Sequence, residues 1–302
     1  MRFAVWTNPT ISWAQTKRIA LHAEATGWDS IFVADHFMNN SDDGAPADGD
    51  FLEVFGVIAS IAAITERIKV GSLVLGNTYR HPAVVANSAS TLDQISNGRF
   101  ILGLGAGWQV NEHKAYGIEL PTAKVLSDRF EESTQIIKSL LHEPRTTFHG
   151  EYYDITDAPC DPKPVNGTLP ILIGAGGEKR SLKTVATYAD QWNIWSTPEV
   201  FGQKRAVLER WCEEVGRDHE EISLTTQALV FISNDEATLA PLRGVTGRPM
   251  VVGTPSEVVD IIGQYQANGV DEFIVPTFPM GPAEQAIESL ELFKTEVVPH
   301  FS

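Results

Sequence analysis

About eight short runs of β-forming residues are spread along this 302-residue chain, with helical patterning in the stretches between them. The runs are Arg2 to Trp6, Ser30 to Ala34, Ile68 to Leu75, Arg99 to Gly103, Pro170 to Ile173, Gln191 to Trp195, Leu224 to Ile232 and Glu272 to Val275. Such alternation places strands parallel to one another, each joined to the next by a right-handed crossover. Eight units in one chain fit a single (β/α)8 TIM barrel over residues 1–302, since barrels run to roughly 250 residues or more as one domain.

An internal echo supports closure. Ala25-Thr26-Gly27-Trp28-Asp29-Ser30-Ile31-Phe32-Val33 and Ala267-Asn268-Gly269-Val270-Asp271-Glu272-Phe273-Ile274-Val275 share the pattern Ala-x-Gly-x-Asp-x-apolar-apolar-Val. Each reads as helix stop, turn and strand, and Ala186 to Ile194 is a weaker copy that lacks the Gly. Units repeated at both ends of a chain suit a barrel. Ser12 with Gln15 reads as a capping box opening the first helix, and Gly27 stands just beyond its end. Thr254-Pro255-Ser256-Glu257 reads as the cap of the penultimate helix. Two stretches break the rhythm. Residues from about 143 to 169, with four prolines around Tyr152-Tyr153-Asp154-Ile155, read as an insertion between strands four and five; Asn234 to Pro249 is the second. Long barrel loops are often functional.

The 39 acidic residues against 23 Lys and Arg give a formal charge of -16, which opposes nucleic acid and anionic membrane as partners. Cys160 and Cys212 are too few for a disulfide framework and lack the spacing of a zinc site. No run approaches about 18 uninterrupted apolar residues, and Met1 to Trp6 lacks the features of a signal peptide, so a cytoplasmic protein without a membrane span is expected.

In a barrel, ligands meet the carboxyl ends of the strands. Strand two is followed by Asp35-His36, an acid and an imidazole where an apolar strand stops. Strand three leads through Gly71-Ser72-Leu73-Val74-Leu75-Gly76-Asn77-Thr78-Tyr79-Arg80-His81-Pro82. Strand four leads into Gly103-Leu104-Gly105-Ala106-Gly107-Trp108-Gln109-Val110-Asn111-Glu112 and then toward a helix around Arg129 to Leu141. Its alternate glycines admit a ligand close to the backbone, but the spacing is not the Gly-x-Gly-x-x-Gly of a Rossmann loop. After strand five, Gly174-Ala175-Gly176-Gly177 opens a helix whose early residues include Lys179 and Arg180, the best anion site in the chain. Trp192, Asn193 and Trp195 offer a ring wall after strand six.

His36 is the first candidate for acid-base or donor work, with Asp35 to orient it. His81 before Pro82 reads as a structural turn residue, His22 lies in a helix, and His113, His142, His149, His219 and His300 read as solvated. No Gly-x-Ser-x-Gly elbow, His-x-x-x-His pair or cysteine cluster is present, which argues against a serine hydrolase or a metal site.

The motifs Val33-Ala34-Asp35-His36-Phe37, Thr78-Tyr79-Arg80-His81-Pro82, Asn97-Gly98-Arg99-Phe100, Leu102-Gly103-Leu104-Gly105-Ala106-Gly107 and Ile173-Gly174-Ala175-Gly176-Gly177, in this order, resemble the bacterial luciferase-like superfamily. More narrowly, they resemble its branch that uses coenzyme F420. The resemblance covers nearly the whole chain and implies a barrel with an insertion, usually a homodimer, holding a deazaflavin at the strand ends. It implies that Asp35 and His36 stand beside deazaflavin and substrate, and that Ser72 and Leu73 occupy the position of a non-prolyl cis peptide behind the ring. Ala106, Gly107 and Asn111 would belong to the strand-four cofactor loop, and Gly176 with Gly177 to a phosphate-binding turn. In the sugar-phosphate dehydrogenase of this branch a glutamate follows the strand-four glycine; here it is Trp108, which makes glucose 6-phosphate an unexpected substrate.

The expectation is an F420-dependent oxidoreductase moving a hydride between deazaflavin C5 and a small uncharged organic substrate, with His36 donating a proton or hydrogen bond. The alternatives are an FMN-dependent monooxygenase on the same barrel, a flavin-binding barrel without turnover, and a cofactor-free aldolase or isomerase, for which no Schiff-base lysine is evident at a strand end.

Overall fold

A computed structural model describes residues 1–301. The barrel strands, β1 to β8 in chain order, are Arg2–Trp6, Ser30–Val33, Lys69–Ser72, Phe100–Gly105, Ile171–Gly174, Gln191–Trp195, Ser223–Gln227 and Glu272–Pro276. All pair in parallel. The order β3-β2-β1-β8-β7-β6-β5-β4 closes through Val70↔Phe100 and Gly71↔Ile101 between β3 and β4. This is the expected (β/α)8 barrel.

Alternating residues separate two cores. Ala4, Phe32, Ile101, Leu172 and Ile274 fill the barrel interior. Residues of opposite parity, such as Phe3, Ile31, Phe100, Ile173 and Phe273, pack outward against the helices.

The repeated Asp has a definite task at the amino-terminal rim. Asp29 Oδ2 accepts the Phe3 amide at 2.9 Å, Asp190 Oδ2 the Ile171 amide at 2.9 Å, and Asp271 Oδ2 the Leu224 amide at 2.7 Å. In each case the acid that precedes an even strand takes the amide that opens, or nearly opens, the odd strand beside it. Arg99 serves the rim differently: its guanidinium donates to Ala62 O, Thr65 O, Thr65 Oγ1 and Ile68 O, closing the end of the helix Val54–Ile64.

Three boundaries depart from expectation. The seventh run is broken after Gln227, and Leu229–Ile232 pairs with Met250–Gly253 in a separate parallel ribbon. The third run is broken too: β3 stops at Ser72, and the short strand Leu75–Gly76 resumes against Leu104 and Gly105. The helical stretch after β4 is two helices, Val110–Tyr116 and the longer Ala123–His142. The insertion holds an antiparallel hairpin, Thr146–His149 with Asp154–Ala158, anchored because Glu132 accepts the amides of Glu151, Tyr152 and Tyr153. Ser12 accepts the Gln15 amide, and Thr254 with Glu257 forms the reciprocal capping box.

Candidate active site

The carboxyl ends of the strands enclose a cavity of ≈ 810 Å³. Its wall includes Trp6 from β1, Asp35 and His36 after β2, Leu73 and Val74 after β3, and Gly105 to Trp108 after β4. Gly174 to Gly176, Asn193 to Trp195, Gln227 and Phe278 complete the circuit from β5 to beyond β8.

His36 is held from behind. Its Nδ1 lies 2.7 Å from Oε1 of Glu112, a residue that is wholly buried. Glu112 Oε2 accepts the Phe37 amide at 2.8 Å, and the Tyr79 hydroxyl donates to Oε1. Burial pushes the Glu112 carboxyl up, but the bond and charge of His36, then the Tyr79 hydroxyl and the Phe37 amide, outweigh it and hold the group below the usual range. The same surroundings act oppositely on Tyr79: burial first, then its bond to Glu112 and the Glu112 and Asp35 charges, raise the phenol far above its ordinary value. An ionised carboxylate only accepts, so the ring proton that faces it sits on Nδ1. His36 Nε2 makes no hydrogen bond to the described residues. The ring meets Trp108 edge-on with centroids 5.5 Å apart and Phe51 at 6.3 Å.

Asp35 does not orient His36. Its carboxylate takes both ends of the Arg80 guanidinium, at 2.6 and 2.9 Å, and the Gly76 amide at 2.9 Å. Arg80 also reaches Glu53 and lies over the Phe55 ring. Asp35 therefore ties the segment after β3 to the end of β2, and the orienting part expected of it falls to Glu112. The sequence signal for that role was slight: an acid in the first turn of a short helix beyond a glycine-rich loop.

The non-prolyl cis peptide is Leu73-Val74, one bond later than expected. Ser72 is still part of the barrel, pairing with Val33, while its Oγ donates to Gly103 O and accepts from Gly103 N. Val74 then projects over glycine. A Cβ at Gly105 would lie 2.7 Å from Val74 Cγ2, and one at Gly174 3.1 and 3.2 Å from its two methyl groups. The glycines of β4 and β5 thus make room for the bulge as well as for a ligand.

Of the candidate residues, Asp35, His36, Leu73, Ala106, Gly107 and Gly176 share the cavity wall. Ser72 lies beneath it. Asn111 lies behind it, its Nδ2 donating to Asn39 O and Ala45 O to brace the loop after β2. Gly177 is outside the wall, its carbonyl receiving the Leu182 amide. Lys179 and Arg180 precede the helix Ser181–Tyr188 rather than opening it, and Arg180 pairs with Asp128. Trp195 and Asn193 reach the wall, while Trp192 is fully buried against Phe201. His81 accepts the Ala83 amide as a helix cap, as expected; His113, expected in solvent, is buried between Thr78 and Gln109 O.

Two wall residues carry buried polar atoms without a partner, Trp6 Nε1 and Gln227 Oε1. Trp6 packs with Trp195 and Phe278 at 5.6 and 5.2 Å. Arg248 lies over Trp195 at 5.3 Å and pairs with no acid among the described residues.

The sequence model of the family described as luciferase-like monooxygenase matches residues 1–246. The chain is 28% identical over 320 residues to the F420-dependent glucose-6-phosphate dehydrogenase of Amycolatopsis mediterranei (strain U-32), covering 93% of this chain and 92% of that protein. It is 33% identical over 196 residues to the pyrimidine monooxygenase RutA of Caulobacter sp. (strain K31), covering 63% of this chain and 53% of that one. In fold it resembles an F420-dependent secondary alcohol dehydrogenase in complex with an F420-acetone adduct, with TM-score 0.85 and 19% identity over 100% of this chain and 99% of the other. The F420-dependent tetrahydromethanopterin reductase from Methanopyrus kandleri gives 0.83 and 23%, with coverage of 100% and 99%. The closed barrel, the cavity at its carboxyl face and a family match over residues 1–246 together place this chain in the luciferase-like monooxygenase family.

Proposed function

We propose that this protein is an F420-dependent oxidoreductase acting on a small organic substrate. The observation that carries the reading is its relation to an F420-dependent dehydrogenase over 93% of this chain and 92% of the relative. The wall fits such a group: glycine at 105, 107, 174 and 176 lets a flat ring approach backbone, with Leu73-Val74 behind it. When bound, the deazaflavin supplies two-electron hydride exchange at C5 and reacts poorly with oxygen.

The chain's own residues supply position and the proton. His36, fixed through Nδ1, presents Nε2: as imidazolium it donates a proton or hydrogen bond there, and as neutral imidazole it accepts one. Trp108 and Phe51 flank that ring edge-on. Trp6, Trp195 and Phe278 offer a substrate an aromatic wall. Arg248 adds a rim cation that the uncharged-substrate expectation did not include. Trp108 in place of a carboxylate supports a substrate other than glucose 6-phosphate. Cytoplasmic residence and a homodimer complete the proposal.

FMN-dependent oxygenation is the second reading, favoured by the likeness to a pyrimidine monooxygenase. The test is to mix the protein anaerobically with oxidised F420 and a panel of small alcohols, and with reduced F420 and the matching carbonyl compounds. A substrate-dependent change in the deazaflavin absorbance supports the proposal. Oxygenation of a substrate by oxygen with reduced FMN, and no deazaflavin turnover across the panel, would replace it by the second reading.

A further inference from the structure

The helix Val110–Tyr116 brings a fully buried carboxylate to the back of the imidazole at the cavity wall. Every contact of that carboxylate is a donor: His36 Nδ1 at 2.7 Å, the Phe37 amide at 2.8 Å and the Tyr79 hydroxyl. Tyr79 comes from the segment that also sends the Gly76 amide and Arg80 to Asp35. The two carboxylates are thus kept apart by chemistry. Asp35 is satisfied by guanidinium and backbone, which leaves Glu112 to the imidazole. Three donors around one carboxylate leave it no proton to give, and they fix both the plane and the tautomer of the ring.

We propose that Glu112 is a positioning residue that, with Tyr79 bracing it, locks His36 as the Nδ1–H tautomer and makes Nε2 the one atom through which this site exchanges a proton. This rests on the reading of the site as an oxidoreductase centre only where turnover is concerned; the tautomer itself is a property of the free protein. A free imidazole in water prefers the opposite, Nε2–H form, so the lock leaves a visible signature. Asp35, by contrast, has no part in it: the Arg80 fork engages both its oxygens.

The test is long-range ¹⁵N–¹H correlation of protein carrying ¹⁵N-histidine, with neutral His36 assigned by its loss in His36→Asn. The wild-type protein, without cofactor, should show His36 protonated at Nδ1 and bare at Nε2. A wild-type His36 protonated at Nε2, or averaged between the two forms, overturns the proposal whatever any variant does. Glu112→Gln leaves one oxygen for three donors and should shift the population toward Nε2–H, whereas Tyr79→Phe, which removes only the brace, should retain Nδ1–H. An unchanged tautomer in a folded Glu112→Gln protein also overturns it. Once a substrate is known, Glu112→Gln should lower kcat about 100-fold, in the range of positioned acid-base groups, with cofactor Kd within about 3-fold of wild type. Equal losses in both would mean that Glu112 is structural. If the deazaflavin fails to bind while the wild-type tautomer is as stated, the functional reading falls and the positioning role stands.

Discussion

Replacing Gly105 by Ala tests whether Val74 forms the floor of the ligand site. The added methyl would lie 2.7 Å from Val74 Cγ2, about 1 Å inside the separation of roughly 3.5–4.0 Å that carbon pairs prefer. Strand β4 cannot easily retreat, because Leu104 pairs with Ile173 on one side and with Leu75 on the other. The strain is expected to move Val74 into the cavity. Overpacking of this kind costs roughly 1–3 kcal/mol, so cofactor affinity should fall by about 5- to 150-fold. Gly174→Ala, at 3.1 Å from a Val74 methyl, should follow in the same direction with a smaller loss. Val74→Ala removes both methyl groups, and the remaining Val74 Cβ stands 3.8 Å from the new methyl, an ordinary contact. The double variant Gly105→Ala/Val74→Ala should therefore bind within about 3-fold of Val74→Ala alone, a favourable coupling of about 1–2 kcal/mol. Equilibrium titration with F420, alongside circular dichroism to establish folding, compares the four variants with wild type. Wild-type affinity in Gly105→Ala, or no recovery in the double variant, would refute this account of the wall.

His36→Asn removes Nε2 and should slow turnover by about 100-fold or more while changing cofactor affinity little; parallel losses would assign the ring to packing. Asp271→Ala deletes the 2.7 Å acceptor of the Leu224 amide and should cost about 1–2 kcal/mol, with the same change at Asp29 adding to it nearly independently in denaturant melts. Glu272, enclosed at the amino-terminal end and accepting from Ser30 Oγ at 2.7 Å, has its carboxyl pushed up by burial, with Arg2 and Ser30 opposing. The folded chain holds that proton to higher pH than the unfolded one, so this stabilisation belongs to acid and is lost as pH rises through the raised value. Glu272→Gln should accordingly raise Tm relative to wild type near about pH 8 and show no such gain near about pH 4; a gain at the lower pH alone would contradict the sign.

The barrel was legible because its signals are local. Alternation of strand and helix, and the Gly-x-Asp echo, are written within windows of about nine residues, and the structure explains the echo by the rim bonds of Asp29, Asp190 and Asp271. Cap residues such as Thr254 and His81 were readable for the same reason. Contacts that skip along the chain were not. Asp35 adjoins His36 in sequence, yet the partner of His36 is 76 residues away and that of Asp35 is 45 residues away. Adjacent residues after a strand point in different directions, so neighbourhood in sequence is a poor guide to which carboxylate meets which base. Asn111 and Gly177 belong to motifs that line the site, but their side chain and carbonyl serve the loop and helix behind it. Arg248 and Gln227 carry no motif; the loop before Met250 and the end of β7 bring them to the wall.

A cavity that serves a deazaflavin, with His36 at the reacting edge as proposed, should bind F420 in preference to FMN. Parallel equilibrium titrations of the purified protein with F420 and with FMN test it most directly. Saturable F420 binding at one site per chain is expected, weakened by Gly105→Ala and retained in His36→Asn, with much weaker binding of FMN. Tight FMN binding without F420 binding would contradict it.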